Sequence, residues 1–467
     1  MADYDYDMVV IGSGPAGQRA AIQAAKLDKH VAIVERKAVV GGVCLNTGTI
    51  PSKTLREAVL HLSGYRERGV YGASYAVKQH ITVDDLLFRA DHVMRHEIDV
   101  TRHQLMRNRV ELLYAEASFV DPHTLQITYV DGRGQRQVTA GHVVIATGTR
   151  ASGDTRTPFD SRTIFLSDDI LHLDHLPRTL AVVGAGVIGL EYASMFAALG
   201  VRVTLIDKRT RLLPFVDGEI VDALVYHLRQ NRVTLRLGEE VNSLEPVHDG
   251  KGERVHIRLA SGKKITAEKA LYSIGRTGAT RALNLPAAGL GTDERGFLKV
   301  NACYQTEVPH IYAVGDVIGF PSLASTSMEQ GRLAACQAFG IESQSVPELF
   351  PYGIYAVPEI SMVGRTEEEL TRQDVPYEVG KANYREIARG QIIGDSTGLL
   401  KLIFHSETRE LLGVHILGEG ASELVHIGQA VMAFNGKIDY FIHTVFNYPT
   451  LAECYKTAAF DGINRLG

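Results

Sequence analysis

Residues 6–35 read YDMVVIGSGPAGQRAAIQAAKLDKHVAIVE, and their order decides the fold. Tyr6 to Ile11 is a short apolar run of the kind that is buried as a parallel strand. It ends in Gly12-Ser13-Gly14-Pro15-Ala16-Gly17, and the alanine-rich stretch that follows predicts a helix through Lys26. Pro15 suits the first turn of that helix, where its missing N–H costs nothing. The glycines allow a tight turn, close approach of a pyrophosphate and close helix–strand packing. A pyrophosphate held there lies on the positive end of the helix dipole. A second strand, His30 to Val34, ends in Glu35, 18 residues after Gly17, where a carboxylate can take the ribose hydroxyls. Strand, turn, helix, strand and acid together predict a dinucleotide site, with Arg36 on its rim.

The same grammar returns. Thr179 to Val183 predicts a strand, Gly184-Ala185-Gly186-Val187-Ile188-Gly189 the turn and Leu190 to Ala198 a helix. Val201 to Ile206 then predicts a strand ending in Asp207, again 18 residues after the last glycine. Two such units imply two dinucleotide sites. Two further segments rhyme: 142–150, HVVIATGTR, and 270–276, ALYSIGR, each run an apolar strand into a glycine turn. They are read as the exits from the two nucleotide domains, placing Ala146, Thr147 and Gly148 at the first site and Gly275 and Arg276 at the second.

Asp207 favours NAD, because a carboxylate there bonds the 2′-hydroxyl and repels a 2′-phosphate. Lys208, Arg209, Thr210 and Arg211 follow directly. Basic residues in a loop are ordinarily a solvated surface. Arginine is also the preferred phosphate donor, and one acid among several bases fits a site that accepts both NAD and NADP.

At 467 residues the chain is too long for one core, and about three domains are expected. A net charge of −5 gives no basic footprint for nucleic acid. No apolar run approaches the ~20 residues of a membrane span. The N-terminus runs straight into a strand without a leader-like segment, and only four cysteines occur, widely spaced. A cytoplasmic protein without a metal site is expected.

Residues 40–53, VGGVCLNTGTIPSK, resemble the redox-active segment of the flavin-dependent pyridine nucleotide–disulfide reductases, GGxCxNxGCxPSK. Thr49 stands where the second cysteine belongs. The resemblance implies that Gly42, Val43, Cys44 and Lys53 lie at the flavin. Thr306 to Asp316, TEVPHIYAVGD, resembles the family's TxxxxxYAxGD pattern, which implies that Gly315 and Asp316 hold FAD, the aspartate at a ribityl hydroxyl. It also implies that a helix over Ser322 to Phe339 points its N-terminus, with Leu323 and Ala324, at the flavin pyrimidine edge, where its dipole can stabilise the anionic reduced ring. Ala115 and Ala117 are assigned to the same cofactor.

Two parts of the thiol machinery are missing. The family's C-terminal HxHPTxxE is matched by 446–453, FNYPTLAE, so Glu453 remains but Tyr448 replaces the catalytic histidine. Tyrosine, with an ordinary pKa near 10, is a poor acid/base partner for thiols. Cys44, alone, reads as a small packing residue rather than a nucleophile. Lys53 and Glu191 match a family ion pair beside the flavin's reactive edge, and could equally be ordinary exposed charges.

Over essentially the whole chain the resemblance is to the transhydrogenase branch of this family, through GTIPSK, EYASMFAALG, YAVGDVIGFPSLA and FNYPTxxE. It implies ping-pong transfer: NADPH reduces FAD, NADP leaves, and NAD enters the same pocket to take the hydride. A flavin-dependent quinone or oxygen reductase is the alternative enzyme, and a non-catalytic nucleotide sensor the alternative of another class. A working disulfide reductase would need Cys44 to pair with Cys303, Cys336 or Cys454.

The fold class expected is α/β, two Rossmann-like domains plus a C-terminal α+β interface domain. The boundaries expected are 1–150 and 276–346 for FAD, 151–275 for NAD(P) and 347–467 for the interface. Helical patterns are expected within Thr54 to Asn108, including Val83 to Asn108. Strands are expected over Gly353 to Val363, Gly398 to Phe404 and Leu411 to Leu417. Helices are expected over Ala421 to Phe434 and Thr450 to Arg465. The resemblance implies a homodimer, possibly a higher homo-oligomer, with FNYPT in the neighbour's site. His426 and His443 read as packed or surface residues.

Overall fold

Strand β1 (Tyr6–Ile11) is buried along most of its length because it has a parallel neighbour on each side, β2 (Val31–Glu35) and the later strand β5. The structure, a computed structural model, describes residues 4–153, 157–250, 252–343 and 349–466. Their contacts form two units. The first holds the described residues up to Thr54, Leu87–Ser152 and those from Gly275 to 343. The second holds Leu55–Leu86, Gly153–Ile274 and those from 349 on. The domain boundary expected at 346/347 lies outside the described residues.

In the first unit α1 (Pro15–Ala25) joins β1 to β2. The strands β3 (Glu111–Phe119), β4 (Thr124–Tyr129) and β5 (Gln135–Ile145) follow. β3 lies parallel beside β2 at its start and β5 parallel beside β1 at its end. Their other halves leave the parallel sheet and pair antiparallel with β4. The strand Ile311–Ala313 adds parallel to β5, so the chain returns to this sheet just before Asp316, as the sequence led us to expect. Helix Ala324–Ala338, somewhat shorter than the 322–339 expected, packs on α1. A Cβ on Gly331 would lie 2.1 Å from the Ala16 carbonyl oxygen, so the helices meet at backbone distance.

Helix Val83–Arg107 stops one residue short of the expected end, followed by Arg109 in the left-handed region at φ 58°. Between it and helix Thr49–Leu62 the expected helical pattern breaks, with Gly64 and Gly72 at φ 64° and 95°.

The second unit opens with a parallel sheet of β6 (Ile164–Leu166), β7 (Thr179–Val183), β8 (Arg202–Asp207), β9 (Thr234–Leu237) and β10 (Lys269–Tyr272). Its order is β9-β8-β7-β10-β6. Helix α2 (Val187–Ala198) joins β7 to β8 and α3 (Gly218–Gln230) joins β8 to β9. Almost every residue of α2 is buried, which explains its lack of a polar stripe. Three antiparallel strands, Val241–Asp249, Gly252–Leu259 and Lys264–Ala267, lie between β9 and β10 in the chain. The sequence reading had not assigned them.

The C-terminal part of this unit is a second sheet of β11 (Tyr352–Ile354), β12 (Ile360–Gly364), β13 (Tyr377–Asn383), β14 (Leu399–His405) and β15 (Leu411–Leu417). Its antiparallel order is β11-β12-β15-β14-β13. The single strand expected over 353–363 is broken in two. The N–H of Tyr355 donates to Glu191 Oε1 at 2.8 Å and that of Val357 to Ser194 Oγ at 3.0 Å, both on α2, so these amides are lost to the ladder. Pro358 has no N–H to offer. The last two expected helices are Ala421–Ala433 and, shorter than the expected 450–465, Glu453–Ile463. His426 and His443 are exposed. No helix among the described residues is long and apolar enough to cross a membrane.

Candidate active site

The first glycine turn is closed by contacts only glycine allows. A Cβ on Gly12 would lie 2.4 Å from the Ala146 carbonyl oxygen, and one on Gly17 1.9 Å from that of Gly12. Gly14 differs: nothing lies within 4 Å of its added Cβ. It precedes Pro15 and Ala16 at the start of α1, and no side chain caps the first turn. The N–H groups there are left for an anion. Glu35 is buried at the end of β2. Its Oε2 accepts from Ser13 Oγ at 2.5 Å and Ser13 N at 3.2 Å, and its Oε1 from Lys37 N at 2.8 Å. Arg36 beside it is exposed. Ser13 was not singled out by the sequence reading, and a partner 22 residues away leaves no periodic signal.

Beyond β5, Ala146 is buried, Gly148 has φ 65°, and the Thr147 hydroxyl is sealed from solvent without a hydrogen-bond partner. Ala115 and Ala117 point their methyl groups into the core under β3, so only their backbone is available to a ligand. Gly315, at φ 79°, donates its N–H to Gln330 Oε1 at 2.8 Å. Asp316 is packed in with a long hydrogen bond of 3.4 Å from Thr149 Oγ1. Burial pushes its carboxyl above the ordinary range, against the pull of the Arg276 guanidinium. Arg276 donates through Nε to Thr149 Oγ1 at 2.8 Å, and Gly275 before it has φ 144°. Leu323 and Ala324 open the helix Ala324–Ala338, again with no side-chain cap.

The cysteine segment folds onto the first turn. Gly41 donates its N–H to Ser13 Oγ at 3.0 Å, and a Cβ on Gly42 would lie 3.0 Å from Gly14 Cα. Val43 and Cys44 follow in the short helix Gly42–Asn46. Cys44 is half-buried, and burial pushes its thiol up. A hydrogen bond with Thr49 and the charge of Lys53 pull the other way, while Asp316 adds to the rise. Thr49 itself is exposed at the head of helix Thr49–Leu62. The structure thus brings Cys44, Thr49, Lys53 and Asp316 into one electrostatic neighbourhood. All four cysteines are free.

The second turn repeats the first. A Cβ on Gly184, at φ 99°, would lie 2.5 Å from the Ser273 carbonyl oxygen, and one on Gly189 1.9 Å from that of Gly184. Gly186 is open, and α2 starts uncapped at Val187 and Ile188. Asp207 is buried and mirrors Glu35: Oδ2 accepts from Ala185 N at 2.6 Å and Oδ1 from Arg209 N at 2.8 Å. Arg209 adds its guanidinium to the same carboxylate. Arg211 pairs with Glu368 at 3.1 Å, whereas Lys208 has no ion pair among the described residues. Glu191 is buried and held by the Tyr355 N–H.

Tyr448 is 74 % exposed, and Glu453 begins the last helix. Among the described residues no cluster of three or more histidine, cysteine or carboxylate side chains is arranged to hold a metal ion.

The residues present fit a dinucleotide at each turn. Gly14 and Gly186 leave open space over an uncapped helix start, and the buried Thr147 hydroxyl has no hydrogen-bond partner among the described residues. A chain with two turns of this build, each closed by a buried acid, is a two-nucleotide protein. It belongs to the pyridine nucleotide-disulphide oxidoreductase family, whose pattern matches residues 6–331 and whose dimerisation-domain pattern matches residues 350–459. The chain is 56 % identical over 462 residues to a soluble pyridine nucleotide transhydrogenase of Mycobacterium bovis, covering 99 % of this chain and 98 % of that one. It is 48 % identical over 469 residues to a protein of that name from Colwellia psychrerythraea, covering 99 % of both. Among solved structures it resembles the HOCl-induced flavoprotein disulfide reductase RclA of Escherichia coli, at 26 % identity and a TM-score of 0.86, covering 97 % of this chain and 99 % of that one.

Proposed function

We propose that the protein is a transhydrogenase that moves hydride from NADPH to NAD+ through FAD, in ping-pong fashion, with one nicotinamide pocket used twice. The observation that carries this reading is Cys44: it is a free thiol, and its partner across the segment is the Thr49 hydroxyl rather than a second sulfur. Without that second sulfur the segment cannot form the disulfide that would relay electrons from flavin to a thiol substrate. The family and its transhydrogenase relatives bring FAD and NAD(P) as ligands. FAD, when bound, supplies a carrier that accepts hydride from one nicotinamide and returns it to another.

This chain's residues bind and orient. Gly12 to Gly17 present the start of α1 to the pyrophosphate, Glu35 takes the adenosine ribose, and Asp316 takes a ribityl hydroxyl. Gly42, Val43, Thr147, Gly148, Leu323 and Ala324 line the flavin's path. Gly184 to Gly189 do for NAD(P) what Gly12 to Gly17 do for FAD, and Asp207 with Lys208 and Arg209 meets its adenosine ribose. Gly275 and Arg276, the latter held by Thr149, are assigned to the cofactor site beside Asp316. Lys53 keeps positive charge near the reacting ring and Glu191, fixed by Tyr355, keeps negative charge near the nicotinamide. Tyr448 and Glu453 of one protomer complete the site of its partner in a cytoplasmic homodimer. The functional division is FAD 1–150 and 276–346, NAD(P) 151–275 and interface 347–467.

The test is anaerobic mixing of FAD-loaded protein with NADPH and thio-NAD, following thio-NADH. Catalytic formation is the expected result. Flavin reduction without thio-NADH would sink the reading and move a quinone or oxygen acceptor to the front.

A further inference from the structure

The loop from β8 to α3, residues 208–217, carries three cations immediately after Asp207. Two of them are neutralised inside the second unit. Arg209 pairs with Asp207 at 2.7 Å and Arg211 with Glu368 at 3.1 Å, whereas Lys208 has no ion pair among the described residues. Glu368 comes from a distant part of the chain, the short helix Glu367–Arg372.

The junction at Glu368 is built around more than one contact. The same Oε1 that takes Arg211 Nη2 also accepts the N–H of Gly218, the first residue of α3, at 3.0 Å. A Cβ on Gly218 would lie 2.4 Å from Arg211 Nη2 and 2.5 Å from Glu368 Oε1, so glycine leaves the room the pair occupies. Nearby, Asp217 caps α3 and binds the buried Lys401 at 2.8 Å, and Phe215 stacks edgewise on Tyr352 with ring centroids 5.1 Å apart. The end of the loop nearest α3 is therefore tied to the C-terminal sheet and its first helix, while its beginning forms the edge at Asp207.

We propose that Glu368 is a positioning residue for nucleotide selectivity: by engaging Arg211 it withholds that guanidinium from a 2′-phosphate and keeps the edge at Asp207 open to NAD(H) and NADP(H) alike. This rests on the reading that Asp207 meets the adenosine ribose. A guanidinium freed in the loop that begins at Asp207 acts on a doubly charged 2′-phosphate and scarcely on a 2′-hydroxyl. Removing the competing carboxylate strengthens one ligand and not the other.

The substitution Glu368→Gln is suited to the test, because its amide oxygen can still accept the Gly218 N–H while the charge is gone. Calorimetric titration of the FAD-loaded protein with 2′,5′-ADP and with ADP reads the edge without turnover. The expected result is binding of 2′,5′-ADP tighter by about fivefold, the scale of one partly exposed charge interaction, with ADP changed less than about twofold on the same scale. The gain should vanish in the double variant Arg211→Gln/Glu368→Gln. Equal shifts for both ligands, no shift, or a gain that persists in the double variant would overturn the proposal. Asp207→Asn is the separate control: if it leaves ADP affinity unchanged, the ribose-edge reading itself fails. A melting curve of each variant separates loss of fold from loss of binding.

Discussion

Arg209 grips Asp207 with both arms of its guanidinium, Nε 2.9 Å from Oδ1 and Nη2 2.7 Å from Oδ2. Bidentate pairing of this kind is among the stronger charge-assisted arrangements, and here the acid is buried while the arginine is exposed. The carboxylate that would repel a 2′-phosphate is thus neutralised by the next residue but one.

Replacing Arg209 by Gln should expose that repulsion. KM for NADPH is expected to rise about tenfold, the loss of roughly one charged hydrogen-bonded pair, and KM for NADH to move far less. Steady-state kinetics with each donor decides it; equal increases would mean that Arg209 only holds the loop.

Cys44→Ser should leave transhydrogenation within about twofold of wild type, because a thiol held protonated by burial contributes packing rather than chemistry. A tenfold drop at unchanged FAD content would return sulfur to the mechanism.

Gly17→Ala should cost FAD occupancy. Its methyl group would meet the Gly12 carbonyl oxygen at 1.9 Å, backbone against backbone, with no flexible side chain to yield. A penalty of about 1–3 kcal/mol is typical of such overpacking, read as a lower melting temperature and a lower flavin-to-protein absorbance ratio. Gly14→Ala meets nothing within 4 Å in the protein and should fold normally while still weakening FAD.

Lys401 is fully buried and binds Asp217, Glu219 and Glu367. Lys401→Met strands the buried Asp217, while Glu219 keeps Lys381, and should destabilise the protein by about 3–5 kcal/mol at neutral pH. Burial alone would push the Asp217 carboxyl up, but the Lys401 ammonium bound to it outweighs that and holds the pKa below its ordinary value. In the wild type this stabilisation is present above the unfolded value near ~3.9 and is lost as pH falls through the lower folded one. Without Lys401 the buried Asp217 carboxyl titrates upward, so the variant's deficit should shrink between about pH 6 and 4. Denaturant melts across that range measure it, and a pH-independent deficit would contradict the charge argument.

The two nucleotide folds were legible because their signals are local. A glycine turn, a following helix and an acid 18 residues on recur within about thirty positions, and β1 and β7 have the limits their apolar runs foretold. The two departures from the family's motifs, Thr49 and Tyr448, were equally legible, since each needs only a short stretch to be read against its pattern. The break at Tyr355 to Pro358 was not, because it is made by Glu191 and Ser194, more than 160 residues earlier in the chain.

By itself the sequence determined the parallel strands, the turns that need glycine and the absence of a second sulfur, all set by side chains a few positions apart. Only the tertiary structure decided which of the cations after Asp207 are already spent and that Lys401 lies buried among carboxylates. Charges are neutralised or stranded by the partners that folding brings beside them, and Arg211 and Glu368, 157 positions apart, have no signal in common until the chain has packed.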